Sequence, residues 1–232
     1  MSAELSSQLA SNVKVKPRQD GAPFVGRSPD RALSKRGFDI VFALSVLLLL
    51  LPLFVVVAAA VRLGDGGPIF YRHRRVGRDG RLFGCLKFRT MRQDSQAALE
   101  AYLAKDPAAR QEWLETRKIK NDPRVTAVGS YLRKTSLDEL PQLLNILAGQ
   151  MSVVGPRPIV PDEIAMYGSE VQHYLAVRPG LTGAWQVSGR NDTSYAERVR
   201  LDSQYVQNWS FGTDLFIVVR TVPAVFMSRG SY

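Results

Sequence analysis

The chain has 232 residues, 45% of them hydrophobic, enough for one sizeable core or for one domain with a membrane segment. A net charge of +10, from 31 Lys and Arg against 21 Asp and Glu, favours anionic partners such as phosphorylated ligands, acidic lipid or nucleic acid, without choosing among them. The single cysteine, Cys85, excludes an internal disulfide, and two well-separated histidines, His73 and His173, give little support to a structural zinc site.

Residues 1–33 are polar and basic, interrupted by Pro17, Gly21, Pro23, Gly26 and Pro29, and read as a flexible leader. They are not a signal peptide, because the apolar run comes too late and no small-residue cleavage site follows it. From Ile40 to Val61, 22 residues carry no charge. At about 1.5 Å per residue this covers the roughly 30 Å hydrocarbon core. Pro52 falls near the middle, where proline kinks a helix. Basic residues flank both ends: Arg31, Lys35 and Arg36 before, and Arg62, Arg72, Arg74 and Arg75 after, and positive flanks favour the cytoplasmic side. Two arrangements follow from these residues: a kinked spanning helix, or a re-entrant segment over residues 34–62 that breaks at Pro52 and returns.

Residues 64 to 92 are expected to be extended. Gly64-Asp-Gly-Gly-Pro68 is a turn, Ile69 to Arg74 and Arg81 to Arg89 are strands, and Arg78-Asp-Gly80 joins them as a hairpin. Lys87-Phe-Arg-Thr-Met91 brings two cations, Lys87 and Arg89, to the end of the second strand, where a solvated strand end is the ordinary reading. Asp94 or Ser95 then caps a helix, a second helix follows Pro107, and after the break at Asn121-Asp-Pro123 a short helix spans Val125 to Arg133.

Acidic, apolar and basic residues are densest from Thr135 to Pro158. Asp138 and Glu139 open an apolar run of Leu140, Leu143, Leu144, Ile146 and Leu147 at helical spacing. Pro141 is tolerated only in a first turn, so the helix should begin near Ser136 to Asp138 with both carboxylates at its positive end. Ser136-x-x-Glu139 is also a capping box, which accounts for these acids by helix stability alone. Further on, Pro156-Arg157-Pro158 holds a guanidinium in a stiff segment suited to phosphate. In Arg178-Pro-Gly180-Leu-Thr182-Gly183 two glycines allow a backbone to approach a ligand, and Trp185, Gln186, Arg190 and Asn191 follow at once. Ser194 to Asn208 reads as a helix. The apolar tail, Asp214 to Met227, reads as a core helix or one lying in the membrane interface.

Paired carboxylates, several cations, a glycine loop beside an aromatic ring and a membrane segment suit the movement of a phosphate-bearing group at a membrane surface. A carboxylate can attack phosphorus, arginines can neutralise phosphoryl oxygens, and Mg²⁺ can balance a diphosphate. No Walker lysine loop, kinase signature or G-x-S-x-G elbow is present.

Six motifs in order, Lys35-Arg-Gly-Phe-Asp39, Lys87-Phe-Arg-Thr-Met91, Asp122-Pro-Arg124, Leu132 to Gln142, Met151 to Pro158 and Arg178 to Gly183, together resemble the bacterial sugar transferases known as monotopic phosphoglycosyl transferases. The resemblance implies an α+β fold: a proline-broken re-entrant helical hairpin anchors a small cytosolic α/β catalytic domain, residues 63–232, with interfacial helices, on the cytoplasmic face of the bacterial inner membrane. It implies transfer of a hexose 1-phosphate, with galactose ahead of glucose, from a UDP-hexose to undecaprenyl phosphate, with release of UMP. Asp138 is then the expected nucleophile and Glu139 the Mg²⁺ ligand. Arg157, Lys87 and Arg89 are expected at phosphate, and Arg178, Gly180, Thr182, Gly183, Gln186 and Arg190 at the nucleotide. Inner-membrane lipid is an expected partner, a homo-oligomer is compatible with the pattern, and nucleic acid is not expected. Two rival readings, a membrane-anchored binder of anions and a catalytically idle scaffold, make no use of Asp138.

Overall fold

A computed structural model describes Pro29, residues 32–116, Ile119, residues 122–188 and residues 194–226. The expected leader therefore lies almost wholly outside the described residues, as do Arg190 and Asn191.

Helix α1 (Leu33–Leu49) and helix α2 (Leu51–Asp65) meet at Leu50 with a bend of 67°. Pro52 sits in the first turn of α2, where its missing N–H costs least, so the break falls just before the proline. Among the described residues no single helix is long and apolar enough to cross a membrane; α1 and α2 reach that composition only as a bent pair. Leu44, Leu48, Leu49, Leu51, Val55 and Val56 around the bend are exposed.

The buried stripe of α1 is Lys35, Asp39 and Ala43, one residue per turn. Lys35 Nζ donates to Val154 O at 2.9 Å, Tyr205 Oη at 3.1 Å and Asp214 Oδ2 at 2.8 Å. Asp39 Oδ1 accepts from Ser152 Oγ and from the Val153 N–H, both at 2.9 Å. Arg36 donates to the carbonyls of Ile146 and Leu147. Lys35 and Arg36, read in the sequence as part of a topology signal, are thus committed to internal bonds. At the other arm Val57 and Val61 pack with Phe88 and Leu132.

Strands β1 (Phe70–Val76) and β2 (Leu82–Phe88) form the expected antiparallel hairpin, His73 opposite Cys85 and Tyr71 opposite Lys87. Its turn uses positive φ at Asp79 and Gly80. Helices α3 (Ser95–Lys105) and α4 (Pro107–Thr116) follow, the second capped by Asp106 Oδ1, which accepts from the N–H groups of Ala108 and Ala109. Thr126 caps α5 (Ala127–Thr135) by accepting from Gly129 N–H at 2.9 Å.

The main core lies between β2, helix α6 (Gln142–Leu147), strand β3 (Ser152–Val154) and the last two helices, α9 (Tyr195–Gln207) and α10 (Phe211–Phe226). It contains Phe83, Cys85, Leu143, Ile146, Met151, Val153, Val154, Tyr205, Val206 and Ile217. Strand β3 pairs in parallel with β4 (Gly180–Thr182). The glycine loop expected to face a ligand is therefore in part a strand. A Cβ on Gly180 would lie 2.1 Å from Gly155 N, and one on Gly183 would lie 2.2 Å from Gly155 O, so these glycines admit a neighbouring backbone. A long 3₁₀ segment (Pro161–Glu170) runs into α7 (Val171–Leu175), and α8 (Ala184–Val187) follows β4. The chain is a mixture of helix and small sheets.

Candidate active site

Asp138 and Glu139 do not begin an α-helix. They lie in a single 3₁₀ turn, Leu137–Glu139, between α5 and α6. Ser136, at φ 57°, ends α5 in the left-handed conformation, and its side chain makes no capping bond, so the capping box does not form. Pro141 serves instead as the residue before α6. The reversal of direction at Ser136 aims the acids back at the sheet.

Along β2 the side chains of Phe83 and Cys85 enter the core and Lys87 follows on the same face, by the two-residue period of a strand. Lys87 Nζ stands 2.6 Å from Glu139 Oε1 and 3.6 Å from Asp138 Oδ2. Asp138 is buried, and burial pushes its carboxyl above the usual carboxylate range; Glu139 adds to that shift, while Lys87 and Arg133 oppose it. Burial alone would lower the Lys87 ammonium, but the two carboxylates outweigh it and raise it. One cation thus holds two closely set carboxylates.

Around them the charge is positive. Burial, then Arg75 and Lys87, and to a lesser extent Arg157, lower His73 to about 4, with only Glu163 opposing. Arg75 Nη2 lies 3.1 Å from His73 Nδ1, and Arg75 Nη1 donates to Pro158 O. Arg157 and Lys87 act on both His73 and Cys85, so two of the three expected phosphate ligands flank the same patch. The Arg157 guanidinium lies 5.3 Å from the Trp185 ring centroid, and its positive charge helps to lower the carboxyl of Asp202.

Other expected residues fall elsewhere. Arg89 is paired with Asp65 at the end of α2. Asp65 also borders a cleft of about 550 Å³ lined by Gly64, Gln93 and Thr126 among others, which contains neither Asp138 nor Glu139. Arg178 Nε donates to Gly149 O at 2.8 Å, bracing the turn after α6. The Thr182 hydroxyl bonds that of Thr221 at 2.7 Å. Gln186 is half-buried with its Oε1 lacking a partner among the described residues.

Asn145 was not anticipated. Buried on α6, it accepts from Leu86 N–H through Oδ1 at 2.9 Å and donates through Nδ2 to Gly84 O at 2.9 Å and to Gln150 Oε1 at 2.6 Å. Its amide pairs with β2 as another strand would, and this docks α6, and the acidic turn ahead of it, onto the strand that bears Lys87. The signal available in the sequence was a lone amide inside an apolar run.

Two carboxylates offer a nucleophile and an oxyanion ligand, and the surrounding cations offer charge neutralisation for a phosphate. Among the described residues no three His, Cys, Asp or Glu side chains come together. Mg²⁺ commonly binds through one or two carboxylates plus substrate phosphates, and the Asp138–Glu139 pair fits that mode.

The family model for bacterial sugar transferases matches residues 30–228. The exopolysaccharide production protein ExoY of Sinorhizobium fredii is 57% identical over 204 residues, covering 88% of this chain and 90% of that protein. ExoY of Rhizobium meliloti is 54% identical over 227 residues, 98% and 99% of the two chains. The undecaprenyl-phosphate galactose phosphotransferase of Salmonella typhimurium is 53% identical over 198 residues, 85% of this chain and 41% of its own. With a match that runs through the acidic turn, the cationic patch and the helical hairpin alike, the chain belongs to the bacterial sugar transferase family and is a transferase.

Proposed function

We propose that this transferase moves galactose 1-phosphate from UDP-galactose to undecaprenyl phosphate, releasing UMP, as the priming step of exopolysaccharide synthesis. The observation that carries the reading is the Asp138–Glu139 pair held by Lys87 beneath a cationic patch. Galactose is favoured because a relative named for galactose transfer is 53% identical, against 38% for the Escherichia coli relative named for glucose 1-phosphate transfer.

Asp138 attacks the phosphorus that bears the hexose. The bond from that phosphorus to the UMP oxygen breaks, UMP leaves, and a phosphosugar-aspartate remains. A phosphate oxygen of the acceptor then attacks the same phosphorus and frees the Asp138 carboxylate. Burial raises the basicity of Asp138, which strengthens it as a nucleophile, while Lys87 and Arg133 keep its ionised form accessible. Lys87 and Arg157 neutralise phosphoryl oxygens. Glu139 would hold Mg²⁺, which when bound supplies charge neutralisation for the diphosphate.

The membrane arrangement belongs to the same proposal. Both arms of the bent helix pair dock on one body, α1 through Lys35, Arg36 and Asp39, α2 through Val57 and Val61. That supports a re-entrant hairpin over residues 34–62, with exposed leucines and valines at its bend in lipid and the domain at residues 63–232 on the cytoplasmic face of the inner membrane. Exposed Phe216, Val219 and Val222 on α10 fit an interfacial helix.

The test is UMP release by the purified protein with undecaprenyl phosphate, Mg²⁺ and either UDP-galactose or UDP-glucose. UMP is expected from UDP-galactose, with loss on Asp138→Asn and on removal of Mg²⁺. Substantial release by a folded Asp138→Asn protein would remove Asp138 as the nucleophile, and preference for UDP-glucose would change the donor.

A further inference from the structure

Buried polar atoms nearly always find partners, so a group of them without any points to chemistry supplied from outside the chain. Six such atoms, unpartnered among the described residues, lie on α8 and α9; beside Ser203 Oγ they are Trp185 Nε1, Gln186 Oε1, Tyr195 Oη, Arg198 Nε and Asp202 Oδ1. Arg198 lies over both rings, 4.5 Å from the Trp185 centroid and 5.0 Å from that of Tyr195, and the field of Arg198 acts on Asp202. The layer adjoins the phosphate ligand proposed above, since Arg157 lies over the same Trp185 ring and its field acts on Asp202. Tyr195, Arg198 and Gln186 are half-exposed, so the layer lies just beneath the surface.

We infer that these five side chains form the subsite for the hydroxyls of the donor's hexose, an assignment that rests on the reading of the chain as a UDP-hexose transferase. The mixture of donors and acceptors calls for hydroxyls, which serve as both. Gln186 Oε1 needs a donor, Trp185 and Arg198 need acceptors, and Tyr195 and Asp202, whose carboxyl burial pushes up to about 7, take either. Uracil offers only one N–H, and the two ribose hydroxyls of the uridine are the competing groups that UDP as a separate probe tests. A hexose carries four hydroxyls, each donating once and accepting up to twice, and serves all five. Base stacking is disfavoured because Trp185 is only 5% exposed and two guanidiniums lie over it. Gln186, expected at the nucleotide, thereby moves to the sugar.

The experiment is titration calorimetry on the full chain in detergent, carrying Asp138→Asn to prevent turnover, with UDP-galactose and UDP as separate probes. Tyr195→Phe, which removes the hydroxyl and keeps the ring, should weaken UDP-galactose about tenfold and leave UDP within about twofold, the size of one lost hydrogen bond. Equal weakening of UDP would place the nucleotide in the layer and overturn the assignment, as would unchanged binding of UDP-galactose. Should a variant unfold, UDP-deoxygalactoses lacking one hydroxyl at a time put the question to the unaltered layer. At least one should bind about tenfold more weakly, and uniform binding would overturn the subsite. UMP release by the wild-type chain tests the reaction separately, so selective loss of sugar binding without any UMP release would keep the subsite and remove the transferase reading.

Discussion

A neutral imidazole set among cations is costly to protonate, and His73 is in that position: burial, Arg75 and Lys87 hold it down to about 4. The unfolded chain takes up this proton near 6.5 and the folded chain only near 4, so stability should fall as pH drops through that window, with the loss complete below about 4. His73→Gln cannot take the proton. Comparing denaturant midpoints near pH 7 and near pH 4.5, the variant should lose less stability than the wild type; an equal loss would mean that His73 does not titrate in this window. The same neutrality has a functional side. With Arg75 donating to Nδ1, the ring proton sits on Nε2, and the imidazole offers a fixed donor to the patch without competing for charge.

The elements of the hairpin and the longer helices were legible in the sequence because each carried a start or stop signal: Arg78-Asp-Gly80 for β1–β2, Pro107 for α4, Ser194 for α9. The acids were legible as a pair but not as a turn, since nothing local announces that Ser136 adopts φ 57°. Strands β3 and β4 were missed for a related reason. At three residues each they show no alternation, and the glycines at 155, 180 and 183 serve their mutual approach, a tertiary fact. The partners that Arg89 and Arg178 take in the fold, Asp65 and Gly149 O, lie 24 and 29 residues away, beyond what local sequence shows. Asn145 shows what such long-range pairing does for the site. Asn145→Ala would leave Leu86 N–H and Gly84 O buried without their partner, at a cost of about 2–4 kcal/mol. Chemical denaturation should register that loss, and because α6 follows the acidic turn, UMP release should fall more than the unfolded fraction explains. Destabilisation below about 0.5 kcal/mol would mean that α6 docks by its apolar contacts alone.

At the scale of the whole molecule the open matter is how a bent apolar pair sits in lipid. Helix α1 has 17 residues and α2 has 15. At about 1.5 Å per residue the arms are about 26 and 22 Å long, each short of the roughly 30 Å hydrocarbon core. The first turns of α1 are also occupied by Lys35, Arg36 and Asp39, whose partners lie in β3, α6 and α10, and α2 closes on Phe88 and Leu132. A spanning helix would carry its two ends to opposite sides and break one of these sets, including the buried Lys35–Asp214 pair, whose loss would strand a charge in the interior at several kcal/mol. Ser34 and Leu63, both exposed, bracket the pair, and Arg200 is an exposed position on α9. Cysteines at Ser34, Leu63 and Arg200, introduced singly, should all react with a membrane-impermeant thiol reagent from the cytoplasmic side of inverted vesicles and stay protected in intact cells. Native Cys85 is a silent background, because it is buried and its thiol is pushed up to about 11. Labelling of Ser34→Cys and Leu63→Cys from opposite sides would restore the spanning helix, and with it the requirement that one of the two docking sets seen here is absent in the membrane.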